Sequence, residues 1–306
     1  MNKREKEVLQ IQLDKEKEIL AKLKKQYERA LHEINIKIRL LQSDELTQSR
    51  IYRIQYQKAL KGQVEAILEK LHADEYSTIQ EYLSDSYTTA YIGTMYDMAG
   101  QGIPILTPID QKAAVKAIMT DSKINTDLYT ALGVDTEQLK TSISDEITRG
   151  IAAGDFYDVI ARNIGLSTGA PLSRAMTIIR TEAHRIQQAS AEDARQEAKK
   201  KGADVVKQWD ATMDSKTRDS HRQLDGQIRE VNEYFEIGNK KAMYPGEFGD
   251  PAEDCNCRCV ALTRARWALD ADELNILKDR AKHFGIDKTK DFEDFKTKYM
   301  NAIKAN

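Results

Sequence analysis

Between Leu20 and Leu41 the apolar residues Leu20, Leu23, Tyr27, Ala30, Ile34, Ile38 and Leu41 recur at steps of three and four, with Lys and Glu between them. That spacing places them on one stripe of a helix. The first glycine is Gly62 and the first proline Pro104, so no breaker interrupts the opening sixty-one residues. Ser43-Asp44-Glu45 is a candidate interruption, after which Ile51, Ile54, Leu60, Val64, Ile67, Leu68 and Leu71 resume the pattern. The expectation is a helical hairpin, either packed within its own domain or docked on a partner as a coiled coil. Ala73 to Ala99 reads as a further helix, with Tyr76, Tyr82, Tyr87, Tyr91 and Tyr96 roughly on one core-facing side.

Gly100-Gln101-Gly102-Ile103-Pro104 then breaks the chain. Thr107-Pro108-Ile109-Asp110 has the form of a helix start, with Thr107 as N-cap and Pro108 in the first helical position. Helices are expected over 108–120, 135–150 and 155–163. Ser167-Thr168-Gly169-Ala170-Pro171 opens another, running to Lys201 and stopped by Gly202. Beyond Gly202 the texture changes to short strand-like runs at 205–209, 226–231 and 258–262, separated by loop-forming stretches such as Met243 to Pro251. From Ala265 the pattern returns to helix, in two segments separated near Gly285. The fold class is mainly α with a small carboxy-terminal α+β module: long amino-terminal helices, a central helical region, short strands between about 204 and 263, and a helical tail. The corresponding segments are 1–100, 101–169, 170–264 and 265–306.

Composition adds limits to this picture. With 306 residues, 41% hydrophobic and 31% charged, the chain can bury a core and still solvate long helices. A net charge of -2 argues against a surface that is wholly a nucleic-acid footprint. Residues 1–61 nevertheless carry fifteen Lys or Arg against nine Asp or Glu. Such an arm can bias a helix towards DNA phosphate, and it equally describes a solvated face. No run approaches the roughly 20 apolar residues of a bilayer span, and no apolar segment follows the charged amino terminus, so the expectation is a chain made and kept in a cytoplasm, with no membrane partner. All three cysteines crowd into Cys255-Asn256-Cys257-Arg258-Cys259, which suits free thiols or a metal better than a disulfide framework.

The most informative residues form an ordered set: Arg180-Thr181-Glu182-Ala183-His184 on a helix; Trp209; Asp214, Thr217, Arg218 and His221; Leu224-Asp225-Gly226; and Asn256-Cys257-Arg258-Cys259 at the last strand. This set resembles the phage head-morphogenesis family, the Mu protein F-like minor head proteins, in the version found in phages of Gram-positive hosts. The resemblance is sharp from about Ala170 to Arg264 and one of helical architecture upstream. It implies a non-enzymatic virion component in the head interior at the portal vertex, made in the host cytoplasm, acting in head assembly and DNA packaging or ejection. The implied partners are the portal protein, the major capsid or scaffolding protein, and non-specific double-stranded DNA.

The residues also have readings of their own. Asp214 and Asp225-Gly226 have the character of turn formers, and Trp209 of an anchor for a small core. Arg180 and His184 share a helix face while Glu182 points elsewhere. No nucleophile and base are paired in sequence, so structural roles outweigh catalysis. Relatives carry a Cys pair before Leu-Asp-Gly and a His before Asn-Cys-Arg-Cys, which resembles a four-ligand zinc site. Here Arg218 and Asp254 stand at two of those positions. His221, Cys257 and Cys259, with Asp254 or Cys255, can still form a distorted zinc site; alternatively an Arg218–Asp254 ion pair replaces the metal. From the enzyme class, the competing reading is a metal-dependent nuclease using His221 with Asp214, Asp219 and Asp225, although no second ligand pair accompanies them. Neither a P-loop nor a dinucleotide fingerprint is present.

Overall fold

The computed structural model describes residues 1–40, 50–119, 137–143, 145–146, 149, 157–266, 282, 285–286 and 288–304. The opening stripe forms α1, Lys3–Leu40. Arg50–Gly100 forms α2. The expected turn at Ser43–Glu45 lies outside the described residues, as do most of the first tail segment and part of the helix expected at 135–150, of which 137–143 are helical. Ala73–Ala99 is not a separate helix: it is the second half of α2. Gly62, the glycine nearest that junction, costs a helix only about 1 kcal/mol, too little to end one that buries Val64, Leu68 and Leu71 just beyond it.

The chain forms two compact units: Met1–Glu16, Tyr82–Thr126 and Arg180–Asn306 in the first, Lys17–Glu81 and Asp127–Ile179 in the second. In the second unit Tyr27, Ala30 and Ile34 of α1 meet Val64, Leu68 and Leu71 of α2 in one apolar cluster with Leu139, Ile143 and Ile164. Tyr27 keeps a polar contact there, donating to Glu75 at 3.1 Å.

In the first unit the tyrosine face of α2 is core, as its spacing suggests: Tyr82, Tyr87, Tyr91 and Tyr96 are all buried. Gly93 of α2 sits where a Cβ would lie 2.5 Å from Cγ1 of Val8, so glycine permits the close approach of the first turns of α1. Asp97 is buried beside them, its carboxylate accepting from Asn2 at 2.6 Å and Gln101 at 2.8 Å. Burial outweighs those donors and raises its pKa to about 6. At the end of α2, Gly102 adopts a φ of 88° and Ile103 N–H reaches back to Met98, a Schellman-type stop.

The next helix, α3, spans Gln111–Met119. Its cap is Asp110, which accepts from Lys112 N–H at 2.8 Å, not Thr107. Thr107 is buried instead, with its carbonyl accepting from Tyr299 and its hydroxyl against Tyr91. Helix α4 runs unbroken over Tyr157–Lys200, so the expected start at Ser167–Pro171 is not a boundary. A proline inside a helix costs about 3 kcal/mol, and the buried residues Ile164, Ala175, Ile178 and Ile179 on either side of it carry the helix through. Gly202, φ 89°, stops α4 as expected, with Ala203 N–H bonded to Ala198.

Short strands and helices follow: β1 Val205–Asp210, α5 Asp219–Leu224, β2 Ile228–Glu230, β3 Phe235–Ile237, β4 Lys240–Ala242, α6 Pro251–Asp254 and β5 Val260–Ala265. The order β2-β1-β5 makes an antiparallel sheet, in register Val206↔Glu230 and Trp209↔Ala261. A separate hairpin, β3-β4, forms where a loop was expected. After Gly285, φ 68°, α7 (Phe292–Lys304) buries Phe292, Phe295, Tyr299 and Ala302 at helical spacing. No described helix is long and apolar enough to cross a membrane.

Buried ion clusters fasten α4 within this unit. Arg195 of α4 bonds Glu192 at 3.0 Å and donates to the Ala261 carbonyl of β5 at 2.9 Å. Lys207 of β1 donates to the carbonyls of Val231 at 3.0 Å and Met243 at 2.8 Å, with Glu192 at 3.6 Å. Burial lowers the Lys207 pKa to about 8 despite that carboxylate.

Candidate functional site

The ordered motif residues gather around Trp209, which is fully buried at the end of β1 with Ala211, Leu224, Phe235, Cys257, Cys259 and Ala261. Two turns frame it. Asp225 accepts from Ala211 N–H at 2.8 Å, and Gly226, φ 76°, lets its own N–H reach the Trp209 carbonyl at 2.8 Å. Asp214 ties the preceding loop together, accepting from Lys216 N–H at 2.9 Å and from the Arg258 guanidinium at 2.8 Å. Arg258 and that backbone bond hold the Asp214 carboxyl well below the usual range. Thr217 closes the same loop through the Thr212 carbonyl and Asp214. These side chains shape the backbone.

Within the frame, α5 carries His221 into the core, and Asn256 turns the chain with a φ of 54°, a left-handed conformation that Asn tolerates better than most residues. Cys257 and Cys259 are both buried, two residues apart just before β5. His221 Nδ1 lies 3.3 Å from Cys259 Sγ and 3.6 Å from Cys257 Sγ. Among the described residues this is the one grouping of three His, Cys, Asp or Glu with metal-ligand proximity, all ligand atoms within 4.8 Å of one another. The contact with Cys257 lowers the Cys259 thiol pKa, aided by His221 and the Trp209 indole and opposed by burial. The same contact and burial raise that of Cys257. Trp209 and Phe248 close over the imidazole at ring separations of 5.6 and 6.0 Å.

On its other side, His221 Nε2 faces the Glu253 carboxylate at 3.3 Å. Glu253 is held in turn by Ser220 at 2.9 Å and Lys240 at 3.0 Å. The sequence gives no sign of Glu253, because the neighbouring Asp254 occupies the motif position. Asp254 is turned away from the cluster and accepts from the N–H groups of Phe248, Gly249 and Asp250 at 3.1, 2.7 and 3.1 Å. The expected Arg218–Asp254 ion pair is therefore not formed: Arg218 donates to the Cys255 carbonyl at 2.7 Å. Three convergent backbone donors satisfy the carboxylate that a guanidinium was expected to meet.

The α4 motif divides. Arg180 is exposed and pairs with Glu16 at 2.9 Å. Glu182 is buried and pairs with Arg185 at 2.9 Å, whose guanidinium also reaches the Ala117 carbonyl at 2.8 Å. His184 lies beside the Cys259 carbonyl, and burial lowers its pKa to about 4. Thr181 accepts from Asn256 N–H at 3.1 Å, tying α4 to the turn before the cysteines. Of the residues suggested for a nuclease, Asp219 is exposed beside Arg222 while Asp214 and Asp225 hold turns, so none joins His221.

The arrangement meets its counterparts among known proteins at this segment. A family model described as Phage Mu protein F like protein matches residues 141–262. The minor head protein GP7 of Bacillus phage SPP1 is 27% identical over 229 residues, covering 72% of this chain and 72% of its own length. The chain carries a Mu protein F-like segment over residues 141–262 and is similar to a phage minor head protein. The Trp209 module falls within that segment apart from the last residues of β5. The chain is also 27% identical, over its whole length, to a protein named NAD(+)--arginine ADP-ribosyltransferase EFV from Enterococcus faecalis, of which it spans 62%. No solved structure matches it.

Proposed function

We propose that the chain is a minor head component of a tailed bacteriophage, acting at the portal vertex in head morphogenesis and in DNA packaging or ejection, without catalysis. The observation that carries this reading is the family match over 141–262 together with the likeness to a minor head protein. The burial of the module's chemical groups supports a structural role: His221, Cys257 and Cys259 are 2%, 5% and 2% exposed, so none of them faces solvent. On this reading the portal protein is the principal partner, with the major capsid or scaffolding protein as neighbours in the head interior. The chain is made in the host cytoplasm. Exposed Lys22, Lys24, Lys25 and Arg29 of α1 offer DNA a weak, salt-sensitive contact.

The test is chemical cross-linking of procapsids followed by peptide mass spectrometry. Cross-links between this chain and the portal protein are the expected result; cross-links confined to tail proteins would overturn the reading. The likeness to EFV motivates a second reading, in which the chain transfers ADP-ribose to arginine. This chain spans 62% of EFV, so the activity in that protein's name does not come to the chain with the likeness alone. Labelled NAD+ with an arginine acceptor separates the two: transfer by the purified chain would establish the second reading.

A further inference from the structure

We infer that His221, Cys257 and Cys259 bind one thiophilic divalent cation of the zinc class, with Glu253 as the carboxylate that orients the histidine. The inference is independent of where the chain acts.

Three observations carry it. First, the spacing of the donors is that of a coordination polyhedron. A tetrahedral site with metal–sulfur bonds of about 2.3 Å and metal–nitrogen bonds of about 2.0 Å has sulfur–nitrogen edges of about 3.6 Å. The two such edges here are 3.3 and 3.6 Å. Secondly, His221 presents one nitrogen to the sulfurs and the other to Glu253 at 3.3 Å. Metal-bound histidines characteristically hand their second nitrogen to a carboxylate or carbonyl, which fixes the tautomer and the ring plane. Ser220 and Lys240 hold Glu253 in place beside Nε2, a buried nitrogen that has no hydrogen-bond partner of its own. Thirdly, the donors come from segments with little regular structure, His221 from a six-residue helix and the cysteines from the turn before β5. Small loop-rich modules of this kind gain stability from a cation that joins distant segments.

The donor set also selects the cation. Two thiolates and an imidazole favour zinc-like metals and offer little to Mg2+ or Ca2+. Asp254 does not complete the set, since both its oxygens are engaged by backbone N–H groups. The fourth position is therefore left to a water or another small ligand, and Trp209 and Phe248 shield the rest from bulk solvent.

The test uses the full chain, stripped with a chelator under reducing conditions and titrated with Co2+ and then Zn2+. One equivalent of Co2+ should produce a sulfur-to-cobalt charge-transfer band with the intense visible bands of four-coordinate cobalt, and Zn2+ should bleach both. Cys255→Ser should retain the full signal. Cys259→Ser should lose the charge-transfer band, or most of it. Glu253→Gln should keep the spectrum but bind about 10-fold or more weakly. A wild-type titration showing only the pale spectrum of hydrated cobalt would overturn the inference, and this measurement does not depend on any variant folding. Unchanged affinity in Glu253→Gln would overturn the part assigned to Glu253.

Discussion

In the second unit, Val64, Leu68 and Leu71 meet Ala30 and Ile34 through hydrocarbon alone, with the Tyr27 hydroxyl as the polar exception. In the module around Trp209, the buried set includes a histidine, two thiols and, on β1, a lysine ammonium. The aliphatic seam is defined by volume and spacing, so it tolerates exchange among side chains of similar size. The module is defined by donors and acceptors that each need a particular partner, and removing one leaves the other buried and unmatched. The first kind of core needs a pattern; the second needs particular residues.

The contrast can be broken or sharpened by substitution. The largest effect is expected for Trp209→Ala, which empties the centre of the module and should cost about 3–5 kcal/mol in urea unfolding. A cost below about 1 kcal/mol would mean that Trp209 is not its anchor. Lys207→Met keeps the length of the side chain but leaves the Val231 and Met243 carbonyls without their donor. It should cost about 3 kcal/mol by the same measurement. A neutral result would show that the polar cluster is replaceable by hydrocarbon.

A third prediction uses pH. The Asp97 carboxyl has its pKa raised by burial from 3.8 to about 6, so the folded chain holds this proton more tightly than the unfolded one. Its contribution to stability is complete below the unfolded value and is lost as pH rises through about 6. Comparing the wild type with Asp97→Asn by urea unfolding between pH 4 and 7 should show the variant gaining on the order of 2 kcal/mol relative to the wild type across that range. Parallel curves would remove the buried carboxylate from the account. The smallest effect belongs to the other core: Leu68→Met in the second unit should cost less than about 1.5 kcal/mol, and a loss as large as that of Lys207→Met would erase the contrast.

The same contrast explains what could be read in advance. Leu23, Tyr27, Ala30 and Ile34 announce their burial by steps of three and four, and all are buried. Helix boundaries were less legible: Ser167–Pro171 carries strong local breaker signals, yet α4 continues through them. Strands β3 and β4 have three residues each, too short for an alternation to register. Glu182–Arg185 and Glu192–Arg195 share an i,i+3 spacing that is visible in the sequence, but spacing does not say that both pairs are buried. The meeting of His221 with Cys257 and Cys259 spans 36 and 38 residues, beyond the reach of any periodicity. Resemblance pointed to those three residues, whereas charge complementarity alone suggested pairing Arg218 with Asp254, whose partners are backbone groups.

The account's central claim, a structural part in phage heads, is tested most directly by quantitative mass spectrometry of purified procapsids and mature particles, with and without the gene. The account predicts the chain in low, fixed copy number in heads, with defective or poorly infectious particles when it is deleted. Its absence from both particle types, with infectivity unchanged by the deletion, would contradict it.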